Sequence, residues 1–246
     1  ADPLSYLSTV TLAEAPAALG AEYTTFALAL QRCRINCLAV LNSSHIAVEN
    51  VAFNSCWLPA IYISNSHHIS VRNSLIEGSS YAIVAVNGGK RDPGRLNPSR
   101  SHDYVIEDNL WIQDPGDPTV CNKLDKHAPC PGKMWREWPW GVTHDGEYEY
   151  YNGALFGSTD IQGVVQIRHN EIRNAYNGVR MTVSKDCQND AGCWTETNQD
   201  VVIDDNFFSF VRDNPVEPEG RAVRWHISGN RFFNGYALIS LDGVTG

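Results

Sequence analysis

Six times the chain spells nearly one phrase: Val-Glu-Asn-Val-Ala-Phe ending at Phe53, Val-Arg-Asn-Ser-Leu-Ile at Ile76, Ile-Glu-Asp-Asn-Leu-Trp at Trp111, Ile-Arg-His-Asn-Glu-Ile at Ile172, Ile-Asp-Asp-Asn-Phe-Phe at Phe208 and Ile-Ser-Gly-Asn-Arg-Phe at Phe232. Val48 and Val71, like Asn50 and Asn73, are 23 residues apart, and Ile203 and Ile227, like Asn206 and Asn230, are 24 apart. A fixed period of this length marks stacked units that bury their apolar faces only against one another. β-Branched residues at alternate positions make those units strands. A helical solenoid would need apolar residues three and four apart over a dozen positions, and the Asn and Gly breaks leave no stretch long enough. The repeat therefore predicts an all-β fold, a single-stranded right-handed parallel β-helix with long loop insertions. Its recurring amides, Asn73, Asn109, Asn170, Asn206 and Asn230, are expected at successive corners of one edge. There a short side chain tolerates left-handed backbone and stacks on the Asn of the next coil, a structural role.

The period also predicts which side chains face inward. Leu38, Ile61 and Val84 line up, as do Val40, Ile63 and Val86, and the two rows continue through Leu155, Val179 and Ile239 and through Gly157, Met181 and Leu241. Between them Tyr62, Ala85, Phe156, Arg180 and Ser240 are expected to point outward. Three insertions interrupt the period beside this row, at 88–102, 113–152 and 184–198. Long structureless loops in a compact fold are usually functional, so these should wall a groove over the outward row. The least regular part, 1–30, reads as an N-terminal cap and first coil, with the Ala-rich 13–21 as a short helix, and 31–246 as the β-helix. The chain stops at Gly246 without a segment to cover the last coil, which predicts a truncated fragment with further coils beyond it.

The 246 residues carry a formal net charge of −9, which argues against a nucleic-acid footprint. No apolar run reaches membrane-spanning length. Seven cysteines point to an oxidising compartment, so the protein is expected to be secreted, periplasmic or on a cell surface. Cys121 with Cys130 and Cys187 with Cys193 are expected to pair within loops. Cys33 and Cys56 should stack on adjacent coils, which leaves Cys37 over as a buried apolar thiol. Asn42-Ser43-Ser44 is an acceptor for N-glycans.

Two clusters carry chemistry. The longest insertion gathers Trp135, Trp138, Trp140, Tyr150 and Tyr151 around Arg136, His144 and Asp145. Aromatic faces with polar groups alongside suit a sugar, whose C–H faces stack on rings while its hydroxyls seek acceptors. Tyr62, outward on an earlier coil, would extend that surface. The other cluster lies in Arg212–Arg221: with Val216 inward, Glu217 and Glu219 point outward beside Arg180 and Thr182 of the coil before and Ser240 and Asp242 of the coil after. Pro215 and Pro218 threaten a bulge there. Carboxylates a coil apart can divide acid and base roles, and Glu217, Glu219 and Asp242 could hold a Ca²⁺ ion.

The repeated Val/Ile-x-x-Asn-x-Phe/Ile coils from Asn50 to Asn230 resemble the right-handed β-helix region of the pectate-lyase-like superfamily. That resemblance implies secretion and action on polysaccharide or oligosaccharide, by lyases, C5-epimerases or inverting hydrolases, with tailspikes and adhesins among the relatives. The paired-Asp and Gly-His-Gly signatures of polygalacturonase-like hydrolases are absent, and Thr143-His144-Asp145-Gly146 departs from the Asp-Pro-His-Asp motif of alginate epimerases. The expectation is a polysaccharide lyase with Arg180 or His144 as base, ahead of an inverting hydrolase using paired carboxylates and a non-catalytic carbohydrate-binding β-helix. The oligomeric state is not legible.

Overall fold

A computed structural model describes residues 29–31, 36–54, 56, 59–87, 101–113, 153–235, 237–241 and 244. Its strands form three wholly parallel sheets, each made of every third strand, the topology of a parallel β-helix. Sheet one contains β2 (Leu38–Leu41), β5 (Ile61–Ser64), β8 (Ile83–Val86), β11 (Phe156–Thr159), β14 (Val179–Thr182) and β17 (Val216–Pro218). Sheet two contains β3 (Ser44–Glu49), β6 (His67–Arg72), β9 (Tyr104–Glu107), β12 (Val165–Arg168), β15 (Val201–Asp204) and β18 (His226–Ser228). Sheet three contains β1 (Ala29–Gln31), β4 (Ala52–Asn54), β7 (Leu75–Glu77), β10 (Leu110–Ile112), β13 (Glu171–Arg173), β16 (Phe207–Ser209) and β19 (Arg231–Phe233). The interior is filled by single rows from each sheet, including Ile61, Ile83, Phe156, Val179 and Val216 from sheet one and Phe53, Ile76, Trp111, Ile172 and Phe208 from sheet three. Phe208 stacks on Phe232 of the following coil at 5.1 Å.

The repeated phrase spans the corner between sheets two and three, and the structure divides between two neighbouring residues the roles expected of one asparagine. Left-handed backbone belongs to the third residue of the phrase: Asn50, Asn73, Asp108, His169, Asp205 and Gly229, with φ from 48° to 63°. The amide ladder belongs to the fourth. Asn170 Oδ1 accepts from the backbone N–H and side-chain amide of Asn109, both at 3.0 Å. Asn170 Nδ2 donates to Asn206 Oδ1 at 3.0 Å and to the Ile106 carbonyl at 2.9 Å. Asn206 repeats the pattern on Asn230. Asn73 is thus not a rung; Ser74 takes that place, its N–H donating to Asn109 Oδ1.

Sheet one corrects the predicted facing of two coils. β8 follows β5 with Ile83 opposite Ile61, one residue short of the 23-residue spacing, and a slip of one exchanges the faces of a strand. Ile83 and Ala85 are inward where Val84 and Val86 were expected, and Ala85 and Phe156 are buried in the core rather than outward. Gly157 takes the outward place beside Val84 and Arg180. At β14 and β17 the prediction holds: Val179 and Met181 are buried, and Val216 lies opposite Val179; Ile239 follows Val216 in register, but Ile239 and Leu241, both expected inward, are 42% and 65% exposed. The expected bulge at Pro215 and Pro218 does not form, because the Pro215 carbonyl accepts from Val179 N–H at 2.8 Å and the Glu219 N–H reaches the Met181 carbonyl at 2.8 Å, either side of the missing donor at Pro218.

Two disulfides are present among the described residues. Cys187–Cys193 is the predicted loop bond, but Cys37 pairs with Cys56, which overturns the reading of Cys37 as a lone thiol and leaves Cys56 no bond to Cys33. Disulfides suit an oxidising or extracellular compartment. No described helix is long and apolar enough to cross a membrane.

The insertion 184–198 is not structureless. It folds into α1 (Lys185–Gln188) and α2 (Ala191–Glu196), capped by the side chains of Ser184 and Asp190. Short helices of this size do not hold by themselves, and the disulfide joins them. Opening it with Cys187→Ser and Cys193→Ser together is expected to cost about 2 kcal/mol in the chain-entropy picture, read as a lowered thermal midpoint under non-reducing conditions, where the Cys37–Cys56 bond stays closed in both proteins.

Candidate functional site

Arg180, Glu217 and Glu219 meet on the outer face of sheet one. Alternation along β14 turns Arg180 out between buried Val179 and Met181, and the parallel register sets Glu217 directly opposite it. Glu219, two residues on, shares that face. Arg180 donates to Glu219 Oε1 through Nε at 3.1 Å and through Nη2 at 2.8 Å. Glu217 stands on the other side, its Oε2 3.4 Å from Arg180 Nε. That oxygen is buried and outside hydrogen-bond geometry with any partner among the described residues. Its other oxygen lies 3.4 Å from Asn214 Nδ2, which is held more closely, at 2.7 Å, by buried Asp213.

The two carboxylates are therefore unequal. Glu219 takes the guanidinium's hydrogen bonds, with a side chain 34% exposed; that of Glu217 is 15% exposed. Burial drives the Glu217 carboxyl up, the positive charge of Arg180 offsets only part of this, and Glu219 and Asp213 add to the rise, so it titrates at about 7. Burial works against the charge on Arg180, but Glu219, Tyr81 and Glu217 more than compensate and hold it protonated more firmly than usual. A charge-locked arginine beside a carboxyl that keeps its proton near neutrality is a proton donor next to a fixed positive charge. Arg180 is a poor base in this setting.

Tyr81 and Gly157 build the adjoining surface. A Cβ placed on Gly157 would lie 2.7 Å from the Tyr81 ring, so only glycine admits the ring at this point of the row. Tyr62 lies on the same outward row, three strands from Arg180. On the other side, the 184–198 insertion is tied to the coil that carries the two glutamates: Arg221 donates to the Thr197 carbonyl at 2.7 Å and sits 5.8 Å over the Trp194 ring. Gly157→Ala is expected to push the Tyr81 ring off the row, read as a change in the near-ultraviolet circular dichroism of the folded protein with its far-ultraviolet spectrum unchanged.

Of the residues singled out by the sequence, the structure brings together Arg180, Glu217 and Glu219 and places Tyr62 on their face. Asp242, His144, Asp145, Trp135, Arg136, Trp138, Trp140, Tyr150 and Tyr151 lie outside the described residues, as do Cys33, Cys121 and Cys130. Sequence reasoning missed Tyr81, for which a glycine inside a strand row, Gly157, was the available signal of a close approach. It missed too a histidine cluster on sheet two, although His45 and His68 repeat at the coil period. A Ca²⁺ ion shared by Glu217 and Glu219 would have to compete with the Arg180 guanidinium for both.

No protein-family model matches the chain, and a search of curated proteins finds no relative.

Proposed function

We propose that the protein acts on an extracellular polysaccharide, binding it along the outer face of sheet one and using Glu217 as the proton donor, in the manner of the pectate-lyase-like superfamily its repeat resembles. The observation that carries this reading is the inequality of the two glutamates around Arg180. A salt bridge serving stability alone would leave both carboxylates ionised, whereas Glu217 is buried without a full hydrogen-bond complement and holds its proton near neutrality. Such a carboxyl can protonate a glycosidic oxygen as the bond breaks. This favours hydrolysis over elimination. The second carboxylate that inversion needs is not Glu219, which Arg180 occupies; Asp242 is the remaining member of the set singled out by the sequence.

A second reading rests on Arg180. Its guanidinium is fixed on the outer face with a side chain 21% exposed, and a positive charge there would neutralise a uronate carboxylate and acidify the neighbouring C–H, the requirement of β-elimination with His144 as base. A non-catalytic glycan-binding protein is the third.

One plate separates the three. Neutral and uronate-containing polysaccharides are incubated with the protein and assayed for new reducing ends, for ultraviolet absorbance of an unsaturated uronate, and for retention of protein on the insoluble glycan. Reducing ends without absorbance are expected. Both signals together identify the lyase, retention alone identifies the binding protein, and none of the three on any glycan would sink the proposal.

A further inference from the structure

Four imidazoles meet at the corner between sheets one and two, in the coils before the Arg180 cluster. The register makes two columns there. Ser44, His67 and His102 form one, and His45, His68 and Asp103 the other, with left-handed backbone at all three residues of the second. His67 and His102 stack face to face with centroids 4.7 Å apart, and His45 and His68 at 4.6 Å. His67 Nδ1 lies 2.8 Å from His68 Nδ1. Asp103 Oδ2 is 2.8 Å from His102 Nδ1 and 3.4 Å from His68 Nε2.

The same corner in later coils needs no such assembly: Asp200 and Arg224 fill it with an ordinary exposed ion pair. Imidazoles crowded together repel one another when charged, so four of them give the corner no comparable gain. They do give it converging lone pairs. We propose that His67, His68 and His102 bind a divalent transition-metal ion of the zinc class, with Asp103 orienting two of the rings.

One nitrogen from each of the three lies within 4.8 Å of the others. Zinc holds imidazole nitrogens at about 2.0 to 2.1 Å, so ligand atoms across the ion stand less than about 4.2 Å apart. In a tetrahedral site the three nitrogens stand about 3.3 to 3.4 Å apart, so closing the set takes a turn of His102 out of its stack with His67 and shifts of the rings that total about an ångström. Asp103 supplies what metal-bound histidines characteristically have, a carboxylate on the far ring nitrogen, which fixes the tautomer and leaves Nε2 of His102 and Nδ1 of His68 to ligate. His67, whose Nδ1 hydrogen points to His68 Nδ1, changes tautomer as the ion enters, the hydrogen moving to Nε2 so that the ring ligates as neutral imidazole. All-imidazole ligation selects zinc, copper or nickel over calcium, which sets this site apart from any Ca²⁺ at the glutamates. The two other groupings among the described residues do not compete. The sulfurs beside Asp160 are spent in the Cys187–Cys193 disulfide, and Glu107, Asp108 and His169 form a largely exposed cluster with one imidazole.

The test uses the whole chain, stripped with chelator, titrated with Zn²⁺ by calorimetry and with Co²⁺ by visible absorption. One equivalent of Zn²⁺ is expected to bind more tightly than about 10 μM, and the Co²⁺ complex should show the intense bands of low coordination. His67→Ala and His102→Asn should each weaken Zn²⁺ binding about a hundredfold or more, while His169→Ala and Glu217→Gln leave it unchanged. Metal-free melting curves establish that the variants fold. The proposal is overturned if the unaltered chain gives only weak octahedral Co²⁺ bands, if no Zn²⁺ binds below about 0.1 mM, or if affinity survives in both folded variants.

Discussion

Glu217→Gln is expected to cut turnover about a hundredfold or more and, at the same time, to make the protein more stable above pH 7. The two effects share one cause. Burial raises the carboxyl from its ordinary value near 4.5 to about 7, so below the lower value folded and unfolded chains both carry the proton. Between the two, only the folded chain keeps it. Above about 7 the folded chain must bury a charge that the unfolded chain exposes to water, and stability is lost as pH rises through this window. The loss amounts to about 1 to 3 kcal/mol, and glutamine, which never ionises, escapes it. Thermal midpoints of the two proteins should therefore coincide near pH 4 and separate in favour of the variant at pH 8. A salt bridge kept only for stability predicts the reverse, a variant weakened by about 1 kcal/mol or less with turnover intact. Arg180→Ala should lower turnover by a similar factor and also destabilise, because it leaves Glu219 and Glu217 facing each other without the cation between them.

The largest expected loss of stability is at Asn170. Its side chain is buried, accepts two hydrogen bonds from Asn109 and donates to Asn206 and to the Ile106 carbonyl. Alanine would leave the buried Asn109 N–H without this acceptor, reduce the Asn109 amide to its bond with the Val71 carbonyl and remove the amide donor to the Ile106 carbonyl, and unpaired buried groups cost about 1 to 3 kcal/mol each when nothing replaces the bond. With partial relaxation, Asn170→Ala should destabilise by about 2 to 4 kcal/mol and leave glycan activity unchanged at temperatures where the protein is folded. His169→Gly, one residue away, should change stability by about 1 kcal/mol or less, because glycine accepts the left-handed backbone that His169 holds with φ of 52°. Paired denaturant melts read both. Equal losses at the two positions would contradict the division of the corner into a left-handed residue and a ladder residue.

That division shows where the sequence was legible and where it was not. The repeat named the fold because a coil period and strand alternation admit few architectures. It did not say which of Asn73 and Ser74 makes the rung, since both residues of Asn73-Ser74 suit a corner and only hydrogen-bond geometry distinguishes them. In sheet one the facing failed at Val84 and Phe156: the coil from Ile61 to Ile83 is one residue short, and Leu155 and Phe156 are both apolar and both buried, so composition could not set the phase. Arg180 and Glu217 were legible because each is a lone charge between two inward apolar residues. The disulfide from Cys37 to Cys56 was not, because it joins residues off the coil period, at a separation of 19. The histidine corner was hidden for another reason: His102 follows an insertion, which removes it from the period that would have aligned it with His67.

The proton held by Glu217 is the centre of the proposed chemistry, and it can be read without knowing the substrate. With side-chain carboxyl ¹³C label in glutamate and Glu217→Gln to assign the resonance, the Glu217 carboxyl is titrated by NMR between pH 3 and 9. A midpoint near 7 is predicted. An ordinary midpoint near 4.5 would mean that Glu217 is ionised beside Arg180 throughout the neutral range, and the outer face of sheet one would hold a salt bridge where the account places an acid.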